Sequence, residues 1–170
     1  ISSNLERMLF ELTNNNDEEV KGYMAQLAAE GRYEVSEEIK KKLGKLFAAG
    51  FCDDAETQKV IGKVWNKFHY LIDPHTAVAY DVLEQYRKES GDNTTAIVVS
   101  TASPFKFCDT VLGALGVTEL AEGTDIIAQL AKKTGVEAPA PLAGLAGKAR
   151  RFDNTVTKDH MVDAVLDMLR

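Results

Sequence analysis

The chain has 170 residues, of which 45% are apolar and 27% are charged, and its formal net charge is -6. This composition is ordinary for one globular domain and excludes a disordered chain. The mild acidity argues against binding to nucleic acids or anionic membranes, because both need clustered Lys and Arg. No apolar run reaches the length of a membrane span and no export leader precedes the first helix, so a cytoplasmic protein is expected.

Helix signals recur along most of the chain. Ser3 with Glu6 three residues later has the spacing of a capping box, and Asp73 before Pro74 is typical of the start of a helix. Apolar residues then recur every three or four positions until a Gly or Asn cluster ends the pattern. From first cap to terminator, the predicted helical stretches are 3–12, 17–31, 36–50, 54–68, 74–91, 107–115, 124–134 and 157–169, with a connector at 136–147.

One segment has the pattern of a buried strand. Residues 95–101 form a β-branched run without polar alternation, which is typical of a strand covered by helices on both faces of a parallel sheet. Residues 33–35 are a shorter extended candidate. A parallel strand needs neighbours for its backbone amides and carbonyls, and the chain offers too few strands to build that sheet.

The predicted fold is therefore α/β, rich in helices, with few parallel strands and part of the sheet supplied from outside this chain. Because the sequence begins at Ile1 rather than Met, residues 1–170 are interpreted as one fragment of a longer protein. Such a fragment is expected to expose an unusually large apolar face where its neighbours are missing.

Disulfide and metal chemistry find little support. Cys52 and Cys108 are too few and too far apart for a disulfide framework, and buried thiols in a reducing compartment are the simpler interpretation. The three histidines, His69, His75 and His160, do not have the spacing of metal ligands. The chain also contains no glycine-rich phosphate loop and no nucleophile elbow.

Two short segments contain the candidate functional residues. Residues 100–104 place three hydroxyls directly after the predicted strand, where ligands bind in open α/β sheets. The alternative is that Ser103 simply caps the next helix, with Pro104 in its first turn. Residues 73–77 form the second segment, where Asp73 is equally well explained as an ordinary N-cap and His75 as a surface residue.

These two segments resemble signatures of threonine synthase. The matching stretches are Asp-Pro-His-Thr-Ala-Val-Ala at 73–79 and Ser-Thr-Ala-Ser-Pro-Phe-Lys-Phe at 100–107. The segments 2–7 and 51–57 are also similar to that family, and the resemblance extends in order over about residues 1–112. Several motifs in the right order are far more specific than one.

The resemblance implies a three-layer fold of type II pyridoxal-phosphate enzymes, similar to the tryptophan-synthase β type. It implies a lyase that converts O-phospho-L-homoserine and water to L-threonine and phosphate, which is the last step of threonine biosynthesis. The family's Schiff-base lysine and cofactor-phosphate loop lie upstream of the segment that corresponds to residues 2–7. No lysine of this chain follows the motif. The resemblance therefore implies that residues 1–170 are a single C-terminal fragment, that it contains no catalytic residue, and that it is inactive by itself.

The resemblance assigns one cofactor-binding residue, Thr101, whose hydroxyl faces the pyridine nitrogen of the cofactor. Lys106, His75 and Ser100 are candidate substrate-binding residues, with Lys106 as a point charge for the substrate phosphate. Position 103, which is Ser here, is His in some family members, so no role can depend on a His there. Two alternatives stay open: another β-type lyase such as threonine dehydratase, and a non-catalytic helical interaction module.

Overall fold

The structure is a computed structural model that describes residues 2–149, 151 and 153–169. Within those residues the regular structure is entirely helical, with nine α-helices and three 3₁₀ turns. The α-helices are α1 (Ser3–Leu12), α2 (Asp17–Glu30), α3 (Glu37–Leu46), α4 (Asp54–Phe68), α5 (Pro74–Ser90), α6 (Cys108–Ala114), α7 (Asp125–Thr134), α8 (Ala140–Ala143) and α9 (Met161–Met168). The 3₁₀ turns are Pro104–Lys106, Gly144–Gly147 and Lys158–His160.

Side-chain caps determine where the first helices begin. Ser36 accepts a hydrogen bond from the Ile39 amide at 3.4 Å, as the sequence predicts. The caps of α1 and α2 are Ser2 and Asn16, each one residue before the predicted position. In both cases two adjacent residues can cap, and the one with extended backbone does so. The third helix ends earlier than predicted, at Leu46, because the next residue already has extended backbone.

The strand predicted over 95–101 is not observed. These residues form no ladder with any described residue, and the side chains of Ile97 and Val99 are 89% and 68% exposed. Residues 33–35 also lie outside any strand. A β-branched run favours extended backbone, but a strand exists only when a neighbouring backbone exchanges hydrogen bonds with it. The described part of this chain supplies no such neighbour, so its parallel strands and layered sheet are absent.

The chain divides into two compact units. The first, residues 1–53 and 80–97, has a core to which α1, α2 and α3 contribute, with the buried residues Leu9, Val20, Tyr23 and Ile39. The second, residues 54–79 and 98–170, is built on the packing of α4 against α6 and of α6 against α7. The close approach of α4 and α6 depends on Gly62, where an added Cβ would lie 2.9 Å from the carbonyl oxygen of Ala114.

Large apolar side chains are exposed at several places along the described chain. The helix α9 exposes between 51% and 70% of each of five apolar residues, namely Met161, Val162, Val165, Leu166 and Met168. The 136–147 connector is partly helical, since it contains α8 and the turn Gly144–Gly147. Among the described residues, no helix combines the length and apolar character that crossing a membrane requires.

Candidate functional site

A buried carboxylate organises the first turn of α5. Asp73 is 0% exposed and precedes Pro74, which occupies the first helical position. Its Oδ1 accepts hydrogen bonds from the backbone amides of His75 at 3.0 Å and Thr76 at 3.4 Å, which is the geometry of an N-cap. Its Oδ2 accepts a hydrogen bond from the Thr76 hydroxyl. The sequence prediction that Asp73 caps this helix is therefore confirmed.

The second candidate segment meets this helix turn through one hydroxyl pair. The Thr76 Oγ1 lies 3.1 Å from the Ser100 Oγ, although the two residues are 24 positions apart. Thr76 is buried, whereas Ser100 is exposed. This contact brings together the two segments that the sequence singled out, and both lie within the second unit.

The His75 side chain is also held by Asp73. Its Nδ1 lies 3.1 Å from Asp73 Oδ1, and its ring lies 5.1 Å from the Phe107 ring in an edge-to-face arrangement. A carboxylate only accepts, so Nδ1 is the protonated nitrogen and Nε2 carries the lone pair when the ring is neutral. The imidazole is 65% exposed, which makes it accessible to a ligand.

The hydroxyls after the segment 95–99 have different environments. Ser103 accepts a hydrogen bond from the Phe105 amide at 3.3 Å, so it caps the 3₁₀ turn at Pro104–Lys106, and the capping alternative is correct for it. Thr101 is exposed, and its side chain makes no hydrogen bond within the described residues. Lys106 is exposed too, and its Nζ forms no ion pair with the residues described.

The electrostatics of the site centre on Asp73. Burial by itself opposes ionisation and would raise the pKa of Asp73. The hydrogen bonds donated by Thr76 and His75 outweigh this effect and hold the pKa below its usual value. Asp73 is therefore an anion at neutral pH and a pure hydrogen-bond acceptor.

A cavity of about 310 Å³ adjoins the site on the side of Ser103 and Phe105. His69, Tyr70 and Glu137 contribute to its wall, and Thr101 does not. Thr101 lies on the exposed surface instead. No cluster of His, Cys, Asp and Glu among the described residues has the arrangement of a metal site.

The chain is similar to known proteins over most of its length. The family model of the threonine synthase C-terminal region matches residues 76–166, which include Thr76, Ser100 and Thr101. The chain belongs to the threonine synthase family. The recognition made from the motifs at 73–79 and 100–107 is thereby confirmed.

Individual relatives agree with this family. Threonine synthase-like 1 of Macaca fascicularis is 30% identical over 122 residues, which cover 71% of this chain and 16% of that protein. The threonine synthase of Saccharomyces cerevisiae is 32% identical over 148 residues, covering 78% of this chain and 29% of that protein. The crystal structure of PLP-bound threonine synthase from Brucella melitensis has 34% identity and a TM-score of 0.59, and the match covers 75% of this chain and 27% of that one.

This member of the threonine synthase family thus spans less than a third of the length of each of those proteins. Ser100 and His75 were predicted from the sequence as site residues, whereas Thr76 was given no role and Asp73 only that of a cap. The spacing of Asp73 and Thr76, three residues apart at a helix start, was a usable signal for their bond. The contact between Thr76 and Ser100 had no local signal.

Proposed function

We propose that this chain is the C-terminal part of a threonine synthase, a pyridoxal-phosphate-dependent lyase that converts O-phospho-L-homoserine and water to L-threonine and phosphate. The family match and the PLP-bound state of the Brucella melitensis structure support this proposal. In it, the rest of the same polypeptide is the partner of residues 1–170, and residues 95–101 join its sheet as a strand. We also propose a cytoplasmic location for the enzyme.

The observation that carries the proposal is the Thr101 hydroxyl. It is exposed and has no hydrogen bond within the described residues. Thr101 comes directly after Ser100, whose hydroxyl oxygen lies 3.1 Å from that of Thr76. An uncommitted neutral hydroxyl fits a pyridine nitrogen, because it donates one hydrogen bond without forcing full protonation of the ring. The nearby carboxylate of Asp73 already accepts four hydrogen bonds from His75 and Thr76 and is 0% exposed, so it is not the ring's partner.

The cofactor, when bound, supplies the electron-withdrawing ring, and the protein adjusts that property through the contact with the ring nitrogen. Thr101 would donate its hydroxyl proton to this nitrogen. His75 and Lys106 are exposed on the same unit and would meet the substrate, with Lys106 attracting its phosphate as a point charge. The lysine that anchors the cofactor would lie in the preceding part of the polypeptide.

The alternative of a non-catalytic helical module loses its two distinguishing features. It would be favoured by a helix over residues 95–101 and by a Thr101 side chain that points into a core. Residues 95–101 are not helical, and Thr101 is exposed.

Replacement of Thr101 in the complete enzyme tests the proposal. Thr101→Val keeps the shape and removes the donor, which costs about 1–3 kcal/mol if a buried ring nitrogen loses its partner. We expect steady-state phosphate release to fall about ten- to a hundredfold, while the cofactor absorbance shows near-normal occupancy. Thr101→Ser is the matched control and should be nearly neutral. Unchanged turnover in Thr101→Val at normal occupancy would remove Thr101 from the site.

The isolated chain provides a separate test of the missing lysine. Residues 1–170 mixed with pyridoxal phosphate and O-phospho-L-homoserine should release no phosphate above the protein-free rate. Phosphate release by this chain alone, and its absence in a heat-denatured sample, would show that the anchor lysine lies within residues 1–170.

A further inference from the structure

The hydroxyl of Thr76 contacts two oxygens but has one hydrogen to donate. Its Oγ1 is bonded to Oδ2 of Asp73 and lies 3.1 Å from Oγ of Ser100. An ionised carboxylate can only accept, so the Thr76 hydrogen is committed to Asp73. Thr76 must then accept from Ser100, and the Ser100 hydroxyl must donate its own hydrogen inward.

The direction of these bonds fixes what Ser100 offers to a ligand. With its hydrogen turned towards Thr76, the exposed side of Ser100 presents only lone pairs. A hydroxyl in that state accepts from an ammonium or another N–H group, and it has no hydrogen left for a phosphate oxygen. Thr101, whose side chain has no hydrogen bond in the described residues, keeps its hydrogen. Two adjacent hydroxyls thus have opposite polarity.

We propose that Asp73 and Thr76 are positioning residues that fix Ser100 as an outward-facing acceptor for an N–H group and hold Thr101 in place beside it. This inference rests on the proposed function, because the ligand of Thr101 is the cofactor of that reaction. The chain of bonds begins at Asp73, which is 0% exposed and accepts hydrogen bonds from two backbone amides in the first turn of α5. It ends at Ser100, the residue before Thr101, so it ties the end of the segment 95–101 to the first turn of α5.

The first test measures order at Thr101 without the cofactor. In the full-length, cofactor-free protein, the order parameter of the Thr101 methyl group is measured by NMR for Thr76→Val, Thr76→Ser and Ser100→Ala. Thr76→Val and Ser100→Ala should both lower this order parameter. Thr76→Ser keeps the hydroxyl and should leave the order parameter unchanged. Thr110→Val is the matched control, because Thr110 lies in α6 outside this chain of bonds. An unchanged Thr101 methyl in Thr76→Val and Ser100→Ala would overturn the proposal.

The second test examines whether Thr76 and Ser100 act as one unit. The cofactor dissociation constant, from absorbance titration of the apoenzyme, should rise about two- to tenfold in each single variant. The double variant should show no further rise, because either change already breaks the same connection. Multiplication of the two single effects in the double variant would overturn the proposal.

The third test addresses the polarity of Ser100 with inorganic phosphate as the probe. The inhibition constant for inorganic phosphate should stay within about twofold in Ser100→Ala, because an acceptor contributes nothing to phosphate binding. A rise of about tenfold would show that Ser100 donates to phosphate and would overturn the acceptor assignment. The proposed function is tested separately: unchanged turnover in Thr101→Val would contradict it, and the effect of Thr76→Val on the Thr101 methyl group has no bearing on that result.

Discussion

Substitution of Gly62 by Ala tests the packing that positions the site. Gly62 lies in α4, and a Cβ there would lie 2.9 Å from the carbonyl oxygen of Ala114 in α6. Ordinary carbon–oxygen contacts begin at about 3.3 Å, so α6 would have to shift by a few tenths of an ångström. Since α6 begins next to Phe107, which contacts His75, the strain would reach the candidate site.

Two opposing effects set the size of the change. Ala in a helix interior is favoured over Gly by about 0.5–1 kcal/mol, whereas overpacking a close contact costs about 1–3 kcal/mol. We expect the free energy of unfolding of Gly62→Ala to fall by between about 0 and 2.5 kcal/mol, the difference of those two ranges.

Gly113→Ala is the matched control, because Gly113 lies in α6 of the same unit and an added Cβ there meets nothing within 4 Å. It should stabilise by up to about 1 kcal/mol. Both variants are measured by urea unfolding followed by far-ultraviolet circular dichroism. The reasoning is refuted if Gly62→Ala proves as stable as Gly113→Ala.

Two further predictions concern buried polar groups. Because the pKa of Asp73 is lowered in the folded chain, its ionised form contributes stability above the ordinary Asp pKa of about 3.9, and that contribution disappears as the pH falls through the folded value. Asp73→Asn should therefore have a lower free energy of unfolding than the unmodified chain, by an amount that is constant above about pH 5 and shrinks below about pH 4. A difference that stays constant down to about pH 3 would contradict the lowered pKa of Asp73. Tyr23→Phe removes a hydroxyl that donates to Glu19 at 2.5 Å and accepts from the Ser36 amide at 3.3 Å, so urea unfolding should show a loss of about 1–2 kcal/mol. Tyr33→Phe is the control, because the Tyr33 ring stacks on Tyr23 at 5.7 Å but its hydroxyl has no partner in the described residues. It should change the free energy of unfolding by less than about 0.5 kcal/mol.

Helix starts and stops were largely predictable from the sequence, because they depend on contacts within one turn. Ser36 and Asp73 cap their helices by accepting from amides two or three residues ahead, and Gly31 ends α2 with a φ of 72° that Gly adopts readily. The one-residue errors at Ser2 and Asn16 arose where two neighbouring side chains were both able to cap. Family membership was also determined locally, since the motifs at 73–79 and 100–107 are contiguous in sequence.

Tertiary structure decided the features that join distant residues. The run at 95–101 has the composition of a strand, yet it forms none here, because strand formation needs a partner backbone that local sequence does not specify. The bond between Thr76 and Ser100 connects residues 24 positions apart, and its polarity depends on Asp73 being buried and ionised. The sequence therefore determined which residues carry hydroxyl and carboxylate groups. Packing within the second unit decided which of them are bonded to each other and which, like Thr101, have no hydrogen bond within the described residues.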